Sequence, residues 1–323
     1  MHKKLALALL ALLVLPLIYF PMNIAEAYVP TMWASSVVDY SQGLRKDGTP
    51  VLLERSDPDN ALGPPDSGVS GPPVLFFSLG FGGWIILGFD CPIANGPGED
   101  ALVIETTWGS YPLESADVYV SQDGIDWEFA GSVNNVDKQG KVSLPEELTW
   151  VLYVKIVDTT DPGSHGFTAD AYDLDAVGAY YAICGTIEKS LSQDYGYLGD
   201  VITVTLNVEV ATDLKMTVKD ELPSFLRYIP ETFYVNSEPV TPTVVDGVIS
   251  TTVEGDYEYE ITFNVRIIQV EATSVTEPNW AYLIYDTLTV DDDSADITIY
   301  PYGGFAKEAC LILDGDAYID LNE

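Results

Sequence analysis

Basic residues are scarce in this 323-residue chain. Fourteen Lys and Arg stand against 50 Asp and Glu, a formal net charge of −36. A surface so short of cations repels phosphate backbones and anionic lipid, which argues against nucleic acid and acidic membranes as partners. Histidine is rarer still, with two residues, and one of them is His2. That leaves His165, in Asp161-Pro-Gly-Ser-His-Gly166, which reads as an exposed turn residue beside Ser164. No Gly-x-Ser-x-Gly, phosphate loop or His-Glu-x-x-His occurs, so the expectation is a protein without catalytic residues. The three cysteines, Cys91, Cys184 and Cys310, form no Cys-x-x-Cys, which argues against a zinc site. Two readings of them stand: Cys91 pairs with Cys184 and leaves Cys310 over, or all three are free buried thiols. There is no Asn-x-Ser/Thr sequon, which argues against a heavily N-glycosylated lattice. After the N-terminus no apolar run of about 18 residues occurs, so no later segment reads as a membrane span.

What is present is apolar and pleated. Hydrophobic residues make up 47% of the chain and charged ones 20%, which excludes a disordered protein. His2-Lys3-Lys4, the apolar run Leu5 to Phe20 and Ala25-Glu26-Ala27 read as a signal helix over residues 1–27. Cleavage there leaves a mature chain from Tyr28 and an extracellular or cell-surface location; an uncleaved anchor is the alternative. Strand-like runs rich in Val, Ile, Thr and Tyr recur between Gly/Pro/Asp/Asn turns. Examples are 84–89, 101–105, 116–120, 151–157, 201–208, 258–268 and 295–300, and several alternate polar and apolar with period two. The expected fold class is all-β, built from sandwiches. Five of six tryptophans lie before Ala182, and the composition shifts there from Gly/Pro/Trp to Thr/Val/Tyr. This divides the chain into 28–182 and 183–300, with 301–323 left as the opening of an uncompleted further unit or a tail.

The first block carries Asn60-Ala-Leu-Gly-Pro-Pro-Asp66, Ser78-Leu-Gly-Phe-Gly-Gly-Trp84, Val118-Tyr-Val-Ser-Gln-Asp-Gly-Ile-Asp-Trp127 and Asp173-Leu-Asp-Ala-Val177. In this order they resemble the discoidin-type, galactose-binding-like jelly roll of extracellular proteins. Gly82-Gly83 reads as a tight turn, Asp123-Gly124 as a hairpin turn, and Trp84 and Trp127 as core residues. The resemblance implies a structural calcium between the Asp57–Asp66 loop and the last strand, with Asp57, Asp66 and Asp175 as ligands. The second block carries Ile187-Glu-Lys189, Gly199-Asp-Val-Ile-Thr-Val-Thr-Leu206 and Val218-Lys-Asp-Glu-Leu-Pro-Ser-Phe-Leu226. It resembles the immunoglobulin-like repeat domain of bacterial and archaeal surface proteins, which implies a spacer or stalk. Asp220 and Pro223 are expected to make a turn, with Leu222 and Leu226 plugging the sandwich.

One further calcium reading comes from the residues themselves. Asp314, Asp316, Asp320 and Glu323 fall at positions 3, 5, 9 and 12 of a calcium loop that lacks Asp at position 1 and Gly at position 6. Asp291-Asp-Asp293 reads as an acidic turn. Short carboxylates in loops suit calcium, while solubility or salt adaptation explains the same acidity. Trp108 and Tyr111, in a loop after the strand at 101–105, are the expected platform for stacking sugar rings. Together these features point to a secreted, non-catalytic adhesion or glycan-contact protein, with a surface glycan or a neighbouring surface protein as partner. The alternatives are a filament subunit that self-assembles through its C-terminal strand, and a polysaccharide-active enzyme.

Overall fold

The computed structural model describes residues 29–66, 75–107, 111–136, 139–255, 257–271 and 273–301. The expected signal segment 1–27, Trp108, Cys310 and the acidic positions Asp314, Asp316, Asp320 and Glu323 lie outside the described residues. Among the described residues no helix is long and apolar enough to cross a membrane. Among the described residues the elements are strands, antiparallel except where Tyr195–Gly196 runs parallel to Leu288–Ile299, with three single-turn helices.

The first sandwich pairs two sheets. One runs Met32–Trp33, Asp173–Ala179, Ala101–Glu105, Gln139–Val142, with Phe77–Ser78 also on Asp173–Ala179. The other runs Ser36–Ser41, Trp84–Ala94, Trp150–Asp158, Ser115–Ser121, Glu128–Asn134. Ser115–Ser121 shows why the sequence pleats: Ala116, Val118 and Val120 face the core while the intervening residues reach solvent. Ala101–Glu105 is buried on both faces instead, because Leu102 and Ile104 pack outside the core with Ala176 and Tyr180. The second sandwich, from Gly185 onward, sets the sheet around Val201–Val210 and Tyr257–Ile267 against the sheet around Lys215–Glu221, Val275–Tyr285 and Leu288–Ile299. Its core comes from the inner positions of those strands, Ile202, Val204, Leu206, Phe263, Val265 and Leu283 among them.

Several expectations are corrected by packing. Trp84 and Trp127 are half-buried, because they lie on the outer face and hold the Lys155 ammonium against their rings at 4.7 and 5.7 Å. Asp291-Asp-Asp293 is not a turn; it lies within Leu288–Ile299. Its carboxylates accept the Ile187 and Lys189 amides of the edge strand Gly185–Leu191 at 2.8 and 2.7 Å. Asp220 likewise lies in a strand and is buried. The turn at 82–83 does form, but Gly83 is needed for contact rather than for φ: a Cβ there would stand 1.9 Å from the Leu79 carbonyl oxygen. Gly80, at φ +71°, backs onto Gly43 in the same way. These close backbone contacts hold the loops at one end of the first sandwich together.

Cys91 and Cys184 form a disulfide, with Cα atoms 5.4 Å apart and 93 residues between them in sequence. It ties the strand Trp84–Ala94 to the start of the second sandwich. Replacing both cysteines by Ser should lower the unfolding free energy by about 2–5 kcal/mol, read as a fall in melting temperature; an unchanged melting temperature contradicts a stabilising role.

Candidate functional site

Strand ends concentrate polar groups at one end of the first sandwich. Glu105 closes Ala101–Glu105, Asp173 opens Asp173–Ala179, and Glu114 directly precedes Ser115–Ser121. The register sets Leu174 opposite Glu105 and Asp173 opposite Ser78. The connection 159–172 brings in His165 and Asp170, and the turn Leu53–Arg55 brings in Arg55. Glu105, Glu114, His165 and Asp170 are each no more than 5% exposed.

His165 is therefore not the exposed turn residue expected from its neighbours. Asp161 caps the short turn Pro162–Ser164 by accepting the Gly163 amide at 2.9 Å, and this turns the ring inward. Nδ1 lies 3.0 Å from the Asp161 carbonyl oxygen. A carbonyl only accepts, so Nδ1 carries the hydrogen and donates it. Nε2 then faces inward, 3.8 Å from Glu114 Oε1, and makes no hydrogen bond of ordinary length. Ser164 Oγ approaches the already committed Nδ1 at 3.3 Å. In the neutral ring that nitrogen has no lone pair with which to take the serine proton.

The carboxyl groups are linked by short contacts. Thr107 bridges Glu105 and Glu114, donating to Glu105 in a very short contact and lying 3.4 Å from Glu114. Ser78 Oγ donates to Asp173 at 2.5 Å, and Arg55 pairs with Asp170 at 3.0 Å. Burial is the main force on their protonation, because a desolvated carboxyl favours its neutral form. It pushes Glu114 up to about 9, helped by Asp173, Glu105 and Asp170. Burial, then Asp170, holds Asp173 well above its ordinary range, against the opposing pulls of Ser78 and Arg55. At neutral pH Glu114 is thus protonated, burial favours the neutral form of Asp173, and the Arg55–Asp170 ion pair lies beside them. The buried Tyr172 hydroxyl has no hydrogen-bond partner among the described residues; burial first, then Glu105 and Glu114, drives its pKa well up.

Over this polar floor stands Tyr111, 49% exposed, its ring centroid 6.1 Å from that of His165. Phe167, in the same connection as His165, is exposed as well. Lys46 closes one side by donating to the His165 carbonyl oxygen at 2.5 Å. The sequence pointed to Tyr111 through its loop position but missed His165, Glu114, Asp170, Asp173 and Arg55. Two of them, Glu114 and Asp173, lie at or beside the ends of hydrophobic strands, the one available signal.

The expected calcium ligands are brought together only in part. Asp175 is buried and accepts the Asp66 amide at 3.4 Å, while Asp66 accepts the Leu75 amide at 3.0 Å. Asp57 turns back to accept the Asp59 amide at 3.2 Å, capping its own turn. Asp66 and Asp175 supply the oxygen donors calcium prefers. Among the described residues, however, no group of three His, Cys, Asp or Glu side chains converges on a metal position.

No family model matches the chain, and no curated protein matches its sequence. Solved structures with a related fold include the N-terminal domain of the Streptococcus gordonii adhesin Sgo0707. That match has 10% identity and a TM-score of 0.37, and covers 68% of this chain and 60% of the adhesin chain. The major pilin BcpA of Bacillus cereus matches at 10% identity and TM-score 0.31, over 69% of this chain and 81% of the pilin. A truncated AlyQ with CBM32 and alginate lyase domains matches at 8% identity and TM-score 0.29, over 84% and 90%. At such scores these neighbours assign neither ligand nor activity to this chain.

The proton on Glu114 gives stability a direction with pH. Between 4.5 and about 9 the folded protein holds a proton that the unfolded chain has released, so stability is lost as pH rises through that window. Glu114→Gln mimics the neutral acid and should flatten the decline between pH 6 and pH 9, followed by thermal melts at both. An equally steep decline in the variant contradicts the assignment.

Proposed function

We propose that the chain is a secreted or cell-surface adhesion protein that binds a neutral saccharide, without turning it over, at the loop end of its first sandwich. The observation that carries this reading is the half-exposed Tyr111 ring above the protonated Glu114 carboxyl, the Asp173 carboxyl and the Arg55–Asp170 ion pair. A pyranose needs both parts: an aromatic face for its C–H surface, and convergent polar groups for its hydroxyls. The net charge of −36 disfavours uronic-acid polymers. The Cys91–Cys184 disulfide supports an oxidising, extracytoplasmic setting. The second sandwich serves as a spacer. A non-catalytic role is favoured because His165 commits Nδ1 to a backbone carbonyl and leaves Ser164 unactivated.

A second reading, self-assembly, is favoured by one feature. The edge strand Thr243–Val245 exposes Val244 and Val245 beside an open groove of about 530 Å³ lined by Leu222, Leu226 and Ile268. Such an edge can accept a strand from a second copy. Residues 301–323 are the segment proposed to supply it, and polymers that persist after their removal contradict this reading.

Three results test the proposal. On an array of neutral and uronic polysaccharides, the full chain should bind neutral members, and Tyr111→Ala should weaken that binding about 5- to 30-fold, as expected for ~1–2 kcal/mol of stacking. Binding that survives the substitution places the site elsewhere, and turnover of any polysaccharide contradicts the non-catalytic reading. Calcium is proposed at the Asp66–Asp175 loop, and chelator should then lower the melting temperature; an unchanged value removes calcium from the account.

A further inference from the structure

Lys189 is the feature of the second sandwich that packing alone does not explain. It sits on the inner face of Gly185–Leu191, 8% exposed, two residues from the core residue Ile187. Its Nζ meets Asp220 Oδ2 in a very short contact, and Asp220 is 1% exposed. Asp220 is opposite Ala281 in the register, and Ala281 is opposite Asp293, which accepts the Lys189 amide. Two residues along the same inner face of Val275–Tyr285 stands Asn279, fully buried. It lies close enough to favour the charged form of Asp220, yet neither Nδ2 nor Oδ1 makes a hydrogen bond of ordinary geometry with any described residue. An amine, a carboxyl and an amide thus share one interior position, and the amide has both polar atoms unsatisfied. Unpaired buried amide atoms are costly, and a buried ion pair is weak evidence for stability.

We propose that Lys189 and Asn279 are joined by an isopeptide bond across the core of the second sandwich, with Asp220 as the proton carrier. The chemistry balances without an oxidant or co-reactant. The uncharged Lys189 Nζ attacks Asn279 Cγ, and the Nζ–Cγ bond forms. Asp220 accepts the proton leaving Nζ and delivers a proton to Nδ2. The Cγ–Nδ2 bond breaks and ammonia departs, leaving a secondary amide. The surroundings favour the reactive forms: burial lowers the Lys189 pKa despite Asp220, and burial raises Asp220 despite Lys189. Desolvation is what frees the amine for attack, against the opposing pull of Asp220. The product also removes the buried charge and the unsatisfied amide together. A link between Gly185–Leu191 and Val275–Tyr285 joins the two sheets covalently, which suits a chain that bears load between a surface and a ligand.

The test is mass spectrometry of the full chain after reduction and trypsin digestion. The expected result is one species in which the peptide spanning Lys189 is joined to that spanning Asn279, lighter than their sum by one ammonia and uncut after Lys189. Separate peptides with cleavage after Lys189 overturn the proposal, and so does loss of one water, which would place the bond at Asp220. In Asp220→Asn the two peptides should be recovered unlinked; a link that still forms removes Asp220 as the proton carrier. The wild-type masses decide whether the bond exists even where the variant does not fold.

Discussion

A carboxylate taken out of water must be neutralised, paired or richly hydrogen-bonded, and the interior of this protein is arranged around that requirement. With 50 acidic residues and 14 basic ones, the chain cannot pair most of its acids. Most therefore stay at the surface, and the few taken inside mark the places where the fold does something besides pack. In the first sandwich the answer is mainly protonation, with Glu114 kept neutral, burial pushing Asp173 the same way, and Arg55 reserved for Asp170. In the second it is a lysine placed in the core against Asp220. Edge amides offer a third answer, taken by Asp291 and Asp293.

Topology decides where these groups meet. Antiparallel strands deliver their ends to the two rims of a sandwich, so residues far apart in sequence converge without any one segment looking like a site. Asp173 and Ser78 meet because Phe77–Ser78 pairs with the start of Asp173–Ala179. The mutual approach of Gly43, Gly80 and Gly83 locks the loops around them. The result is a rigid polar floor beneath an aromatic ring, a geometry better suited to holding a ligand than to moving protons through His165.

The strands were legible because period-two alternation reports directly on burial. Val201–Val210 and Trp150–Asp158 extend the runs read from sequence by only one or two residues. Leu75 to Leu79 pairs over Phe77–Ser78 alone, since its neighbours pack as loop. What could not be read was which polar residues go inside. Asp291-Asp-Asp293 looks like a solvated turn, yet the unsatisfied amides of an edge strand draw two of its carboxylates into a ladder. His165, among Pro, Gly and Ser, looks exposed until the Asp161 cap turns its ring inward. The Lys189–Asp220 pair is hidden for the same reason: each lies at an inner position of an alternating strand, but only the facing of two sheets reveals the partner. Local pattern fixes which way a side chain points, whereas the partner waiting there is a tertiary property.

The floor of the loop-end site is held by a Glu114 carboxyl that stays protonated at neutral pH. Following the side-chain carboxyl carbon of Glu114 by NMR across a pH titration tests it most directly. The account predicts a midpoint of about 9, with the carboxyl still protonated at neutral pH. A midpoint in the ordinary glutamate range, with a charged carboxylate at neutral pH, would contradict it.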